Sequence, residues 1–284
     1  MLDLQEKLEN SFLTVYITKG IDGVMISVSR QSLLHAPQLA ATIDLIGKPG
    51  FCPALTAWLQ AAVPFSFTVI FGYSGERKPI DIFDTFPEHR RRIFVTDYQE
   101  GPYLLDPFCQ SAVRPVPPGL YRLKTLAPDR FYQGEYFRTY YKRTEIAEEI
   151  GYFAEMPGEC HVVLSLMREE KAFSRAEFQR LTTIAPVVTA LMRRQWSELA
   201  KAFMAQTIGR PELTGEGLDR LTPREREIVA FILKGYSAEA TGQVLEISTG
   251  TVRIHRRNIY AKLGISSQRE LFSRFMPGVS RQTS

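Results

Sequence analysis

The chain has 284 residues, of which 44% are hydrophobic and 23% charged, so it is long enough for two domains and has the composition of a soluble globular protein. It contains no run of 18 or more apolar residues, and its first residues carry acids where an export signal has bases, which predicts a cytoplasmic protein with no membrane partner. Residues 219–276 hold ten Lys and Arg against six Asp and Glu, which accounts for the whole net charge of +4. A basic C-terminal segment joined to a neutral remainder is typical of a module that binds a polyanion.

The first part of the chain gives only coarse predictions. Residues 1–50 suggest an amphipathic helix near the start, a strand-like segment at 14–18 and a short helix at 37–47, and we assign them no function. Residues 53–63 place apolar side chains at helical spacing and are followed by Pro64, which predicts a helix that ends there.

Two pairs of predicted strands follow. Residues 65–73 alternate aromatic or aliphatic with small or polar side chains, which predicts a strand with one aromatic face, and residues 80–86 are its partner after a turn. Residues 149–155 and 161–167 form the second pair. Residues 87–145 are predicted to hold short helical or irregular pieces. A capping box at Ser174 and Glu177 opens a long helix that runs towards Phe203, with a kink expected at Pro186.

This order predicts an α+β fold: an N-terminal α/β sandwich around a central antiparallel sheet, followed by an all-α domain. In order of elements the N-terminal part resembles GAF/PAS-type sensor domains and, more loosely, the ligand domain of LuxR-type quorum-sensing regulators. The predicted boundaries are 1–204 for this sensor and dimerisation domain, 205–218 for a Gly-rich polar linker, and 219–284 for a four-helix helix-turn-helix domain.

The C-terminal helices are marked by their ends. A capping box at Thr222 and Glu225 opens the first, which stops at Gly235, and Ser237 caps the second. Ser248 caps the third, which stops at Gly264, and a fourth spans residues 267–275. The second and third helices are separated by about three residues, as in a helix-turn-helix.

The third helix has the chemistry of a DNA-reading helix. Val252, Ile259 and Leu263 share one face and predict its core side, whereas the arginines lie on other faces. Its N-terminus with Thr249 and Thr251 suits a phosphate, and Arg256 is expected to contact phosphate only. The competing interpretation is a small helical bundle with a solvated basic face.

Residues 221–227, 235–237 and 247–265 resemble the LuxR/FixJ-type (GerE-like) helix-turn-helix family at fixed spacing over about 55 residues. This resemblance implies a sequence-specific transcriptional regulator that binds double-stranded DNA as a homodimer. It also implies DNA contacts at Arg253, Ile254 and Arg257, with Thr251 at a phosphate. The second helix departs from the family pattern at Ala240 and Gly242, and Gly242 is expected to cost close to 1 kcal/mol of helix stability relative to Ala.

An aromatic-lined pocket for a small molecule is predicted in the N-terminal domain, because one aromatic face of a strand must be covered. Plain core packing competes with that interpretation. An acyl-homoserine lactone is a further alternative, since Asp106-Pro107 after Tyr98 and Tyr103 is similar to the region of quorum-sensing receptors that binds the lactone's amide, although the tryptophans expected around it are missing. The pocket candidates are Phe65, Phe67, Phe71, Tyr73, Tyr98, Tyr103, Asp106 and Phe108.

The sequence therefore predicts a DNA-binding transcriptional regulator controlled by a small molecule, with RNA polymerase as a candidate partner. The alternative is an effector-independent regulator whose N-terminal domain binds another protein. No catalytic set, phosphate-binding loop or metal-ligand spacing is visible, so neither an enzyme nor a cofactor is expected.

Overall fold

The computed structural model describes residues 12–17, 24–29, 36–75, 77–205 and 216–276, and the chain divides into two compact units, residues 1–64 and 65–284. The helix predicted near the N-terminus and most of the predicted linker lie outside the described residues.

The first unit contains a hairpin and two helices. Strands β1 (Phe12–Ile17) and β2 (Val24–Ser29) pair antiparallel, with Phe12 opposite Ser29 and Ile17 opposite Val24. Helix α1 spans Ala36–Asp44, and helix α2 spans Phe51–Ala62. Helix α2 buries Phe51, Leu55 and Leu59, which recur every four residues and therefore lie on one face.

The second unit begins with an antiparallel sheet of five strands in the order β4-β3-β7-β6-β5. Their bounds are Phe67–Ser74 (β3), Ile80–Asp84 (β4), Gly119–Arg122 (β5), Glu148–Met156 (β6) and Cys160–Arg168 (β7). The α+β fold with a central antiparallel sheet is thus confirmed. Strand β5 was not predicted, because its four residues are too few to show a period of two.

One face of this sheet is covered by the short pieces between β4 and β6. They are the helices α3 (Glu88–Arg91), α4 (Pro107–Val113), α5 (Leu123–Leu126) and α6 (Glu135–Thr139), a π-helical stretch Arg92–Asp97, and 3₁₀ turns at Pro102–Leu105, Phe131–Gln133 and Tyr141–Thr144. The ring of Phe108 in α4 lies so close to β6 that a Cβ on Gly151 would come within 2.7 Å of it. A glycine at that position lets the ring approach the strand backbone.

The other face carries helix α7 (Arg175–Gln195), anchored where the Tyr152 hydroxyl donates to the carbonyl oxygen of Leu181 at 2.9 Å. The predicted capping box is present: Ser174 Oγ accepts from the Glu177 N–H at 3.2 Å, and Glu177 Oε2 accepts from the Ser174 N–H at 2.8 Å. The helix continues through Pro186 but stops at Trp196, and a second helix, α8, spans Leu199–Ala205. No Gly or Pro marks this interruption in the sequence.

Four further helices complete the second unit: α9 (Pro223–Lys234), α10 (Ala238–Leu245), α11 (Thr249–Leu263) and α12 (Gln268–Phe275). We call residues 216–276 the helical region and residues 65–205 the sheet region. Within the described ranges, no helix has the combined length and apolarity needed to cross a membrane.

Candidate functional site

The helix that begins the helical region is fixed at its N-terminus by Glu225. Its Oε2 accepts from the Thr222 N–H at 2.8 Å and from Lys262 Nζ of α11 at 2.7 Å. Burial alone would raise the pKa of Glu225, but the hydrogen bonds from Lys262 and Thr222 outweigh it and lower the pKa. The carboxylate therefore caps α9 and also ties it to the end of α11.

The turn between α10 and α11 explains the glycine that departs from the family pattern. The Ile247 N–H returns to the carbonyl oxygen of Gly242 at 2.9 Å, with Glu246 in the left-handed region at φ 54°. A Cβ on Gly242 would lie 2.7 Å from the Ile247 carbonyl oxygen. The expectation that Gly242 merely weakens α10 is therefore incomplete, because only glycine fits this close approach.

Helix α11 is held by its cap and by its apolar face. Ser248 Oγ accepts from the Thr251 N–H at 3.0 Å. Val252, Ile259 and Leu263 are buried, at the positions that the sequence spacing indicated. Exposed residues on its other faces, Arg253 and Arg257 among them, are therefore available to meet another molecule.

The DNA-contact residues predicted from the sequence all lie along the first turns of α11. Arg253, Ile254 and Arg257 are exposed, and 53% of the Ile254 surface is accessible although the side chain is apolar. Arg253 forms an exposed ion pair with Glu239 of α10 at 3.1 Å. Arg256 is half-buried, lies over the Tyr260 ring and donates to its hydroxyl at 3.1 Å. The remaining two, Thr249 and Thr251, are half-buried at the N-terminal turn.

A second candidate site is a cavity of about 40 Å³ inside the sheet region. It lies on the face of the sheet that carries the odd-numbered residues of β3, β6 and β7, beneath the short helices. Its lining is Val69, Phe71, Tyr73, Phe94, Tyr98, Asp106, Phe108, Tyr136, Tyr140, Tyr141, Thr144, Glu149, Ser165 and Met167.

The polar groups of this cavity form two clusters. Tyr98 donates to Asp106 Oδ2 at 2.6 Å and lies 3.1 Å from the Tyr73 hydroxyl, which must then be the donor of that contact. Asp106 Oδ1 accepts from the Phe108 N–H at 3.0 Å, so Asp106 also caps α4. In the second cluster, the Tyr141 hydroxyl donates to Glu149 Oε2 at 3.3 Å.

Both cavity carboxyls are hard to ionise. Burial raises the pKa of Asp106, although hydrogen bonds from Tyr98 and two backbone N–H groups oppose the shift. Burial and the nearby charge of Asp106 raise the pKa of Glu149 to about 8, against hydrogen bonds from Ser165 and Tyr141. Both residues are half-buried and line the cavity.

The structure brings together five of the eight predicted pocket residues: Phe71, Tyr73, Tyr98, Asp106 and Phe108. The other three lie elsewhere. Phe65 and Tyr103 are buried outside the lining, and Phe67 packs against Phe86 with ring centroids 5.2 Å apart. Glu149 is the carboxyl of the lining that was not among the residues predicted from the sequence. Its only sequence signal was its place at one end of a predicted strand.

A helix-turn-helix with a capped, exposed, arginine-bearing second helix defines a DNA-binding transcriptional regulator. Residues 219–275 match the family described as "Bacterial regulatory proteins, luxR family". The chain is also 33% identical over 184 residues to an HTH-type transcriptional regulator in the exeN 3' region of Aeromonas salmonicida, an alignment that covers 60% of this chain and 93% of that protein. The chain belongs to the luxR family of bacterial regulatory proteins.

Two further similarities concern parts of the chain. It is 34% identical over 119 residues to the monoamine regulon transcriptional regulator of Klebsiella aerogenes, which covers 42% of this chain and 45% of that protein. Among solved structures, the VqsR LBD domain from Pseudomonas aeruginosa matches with a TM-score of 0.51 and 24% identity over 57% of this chain and 95% of that one. The structural match supports the fold of the N-terminal part.

Proposed function

We propose that this regulator acts as a homodimer whose DNA binding is controlled by a small molecule in the cavity of the sheet region. The observation that carries the proposal is the cavity itself, where tyrosine hydroxyls and two carboxyls line the same small space. Buried polar groups are costly unless they are hydrogen-bonded. Asp106 and Glu149 bond their neighbours and, as carboxyls with several lone pairs, keep acceptor capacity for a ligand.

The chemistry of the lining favours a ligand that donates hydrogen bonds and is neutral or cationic. Asp106 and Glu149 supply acceptors, and among the described lining residues none is basic. Because both carboxyls are hard to ionise, a cation would supply the counter-charge that lets one of them ionise, whereas an anion would find no basic partner and would oppose their ionisation. A water molecule needs about 10–15 Å³ of such space. The cavity of about 40 Å³ thus offers room for roughly three non-hydrogen atoms while the rings keep their positions.

This volume disfavours the acyl-homoserine lactone as the ligand. A protein cavity that binds benzene, a smaller molecule than the lactone, has a volume of about 150 Å³. Asp106 is moreover already engaged by Tyr98 and by the start of α4. The effector-independent alternative would leave the cavity to a few ordered waters, and the sheet region would then bind a partner protein.

Thermal denaturation of the full chain with three probes of similar size and different charge tests the proposal: ethylamine, ethanol and acetate. Very small ligands gain at most about 1.5 kcal/mol per non-hydrogen atom, so a Kd of about 0.5 mM is the best expected for three atoms. At 50 mM, ethylamine should then raise the stability by up to about 2.7 kcal/mol. Acetate should have no effect.

The matched control is Ser165→Leu, which fills the cavity from β7, where Ser165 is 4% exposed. The ethylamine effect should disappear in that variant. If none of the three probes acts on the wild type, the size and charge argument is refuted. A shift by N-hexanoyl-homoserine lactone alone would support the quorum-sensing alternative.

For the helical region we propose that Arg253, Ile254 and Arg257 contact bases, while Thr249, Thr251 and Arg256 contact phosphates. The exposure of the first three supports this division. On a duplex selected from a random library, Arg253→Ala should weaken binding by about 1–3 kcal/mol if it makes a bidentate base contact. An unchanged footprint would remove Arg253 from the site.

The remaining assignments belong to the same proposal. We place the sensor and dimerisation domain at residues 1–204, the linker at 205–218 and the DNA-binding domain at 219–284. The protein works in the cytoplasm, is not an enzyme, and has RNA polymerase as a further partner. Analytical ultracentrifugation with and without DNA tests the homodimer, and a purely monomeric complex would contradict it.

A further inference from the structure

The sheet region and the helical region meet at Gly235, the residue that ends α9. The Arg130 N–H donates to the Gly235 carbonyl oxygen at 3.0 Å, and the Ser237 N–H donates to Asp129 Oδ1 at 3.0 Å. Gly235 has φ +89°, and a Cβ there would lie 3.0 Å from the Cα of Phe131. Two hydrogen bonds and a backbone contact therefore hold residues 129–131 against the start of the helix-turn-helix.

Beside this contact lies an open groove of about 280 Å³, which we call the arginine groove. Arg130 and Arg138 line it from the sheet region, and Arg253 and Arg256 line it from α11. Glu239 is the single acid in the lining, and its carboxylate already pairs with Arg253 at 3.1 Å.

We propose that the arginine groove is part of the DNA-binding surface, so that Arg130 and Arg138 bind the phosphate backbone beside the bases that α11 reads. The inference rests on α11 being the helix that enters the major groove. It adds to the DNA interface a contribution from outside the helix-turn-helix.

Three observations support a phosphate as the occupant. Arg130 and Arg138 are exposed. Within the described ranges Arg138 pairs with Glu135 one turn earlier at 3.4 Å, which is weak in water, and Arg130 acts on the charge of the neighbouring Asp129 without a salt bridge to it. The guanidinium fork matches phosphate oxygens in pairs. The groove is continuous with α11, so a duplex seated on that helix continues past the same arginines.

The test compares Arg130→Ala/Arg138→Ala with the wild-type full chain on a fluorescein-labelled 30-base-pair duplex of mixed sequence at 50–200 mM salt. Phosphate contacts supply most non-specific affinity, so no operator is needed. Each lost phosphate contact lowers the slope of log K against log salt by about 0.9, and at 0.1 M salt it weakens binding about eightfold. The double variant should therefore bind up to about 60-fold more weakly, with a slope smaller by about 1.8.

Two controls accompany the double variant. Arg175→Ala/Arg180→Ala removes the same charge from exposed positions on α7, which covers the opposite face of the sheet. It should change binding much less. Arg130→Lys/Arg138→Lys should retain most of the slope. Circular dichroism of each variant checks that its fold is intact.

Every outcome of this comparison either supports or overturns the inference. An unchanged slope, or a loss equal to that of the α7 control, overturns the inference. Tighter binding also overturns it, because the groove would then hold α11 away from DNA. Arg253→Ala/Arg257→Ala is measured in parallel. If that variant weakens binding while Arg130→Ala/Arg138→Ala does not, only the added contact fails; if neither weakens it, the assignment of α11 fails as well.

Discussion

Replacing Gly242 with alanine sets helix propensity against packing in the turn of the helix-turn-helix. Alanine is favoured over glycine by about 1 kcal/mol in a helix interior, so propensity alone predicts a more stable protein. A Cβ at this position would instead lie 2.7 Å from the Ile247 carbonyl oxygen. Ordinary contact begins at 3.4 Å, so the two backbone segments would have to separate by about 0.7 Å, the difference of these two distances.

That separation has a definite cost. Overpacking typically destabilises by about 1–3 kcal/mol. The movement also strains the 2.9 Å hydrogen bond from the Ile247 N–H to the Gly242 carbonyl oxygen, and such a bond contributes about 1 kcal/mol. After subtracting the propensity gain, we expect Gly242→Ala to destabilise the helical region by about 1–3 kcal/mol.

Gly250 provides the matched control within the same motif. It lies in the first turn of α11, where a Cβ would meet only Ser248 Oγ, at 3.6 Å. Gly250→Ala should therefore stabilise the protein, by up to about 1 kcal/mol. Differential scanning calorimetry of the full chain compares the two variants. Equal stabilisation by both would refute the steric account of the turn.

Three further substitutions test other contacts. Glu149 has a pKa raised to about 8, so the folded state loses stability as pH rises from about 4.5 towards 8. Glu149→Gln should remove that loss in thermal melts. Parallel pH profiles of the wild type and the variant would contradict the burial of Glu149. Hydrogen bonds from Arg168 lower the pKa of Glu177 to about 2, so the stabilisation by its carboxylate is present above about pH 4.5 and is lost towards pH 2. Glu177→Gln should therefore melt at a lower temperature than the wild type at pH 7, and the two melting temperatures should converge at acid pH. Gly235→Ala should lower the melting temperature more than Gly264→Ala. Both glycines have positive φ, but of the two only Gly235 would bring a Cβ against another backbone segment. Equal losses would argue against the contact between the sheet region and the helical region.

Local signals were enough to predict the helical region. Capping side chains at Thr222, Ser237 and Ser248 and the terminal glycines at 235 and 264 act within a few residues, so the sequence displays them directly. The alternation in residues 65–73 likewise predicted β3. The fold class followed from the order of such elements.

The cavity and the arginine groove depend on contacts between distant segments. A period of two shows that successive side chains of a strand point to opposite faces of the sheet. It does not show which face meets the short helices, so Glu149 was not distinguished from its neighbours. Register decides this: β6 places Gly151 opposite Ser165, and the odd-numbered residues then share the cavity face. Arg130 reaches Gly235 through a backbone hydrogen bond that no local pattern announces.

Helix α6 lies between the cavity and the arginine groove and contributes a residue to each. Its Tyr136 lines the cavity, while Arg138, two residues on, lines the arginine groove. The helix has only five residues, so a displacement of its backbone carries both side chains with it. A ligand that moves this backbone through the Tyr136 ring would shift Arg138 relative to α11. Because the preceding turn also binds Gly235, the same displacement acts on the end of α9. If the proposed ligand acts through this helix, ligand and DNA must alter each other's affinity by the same factor.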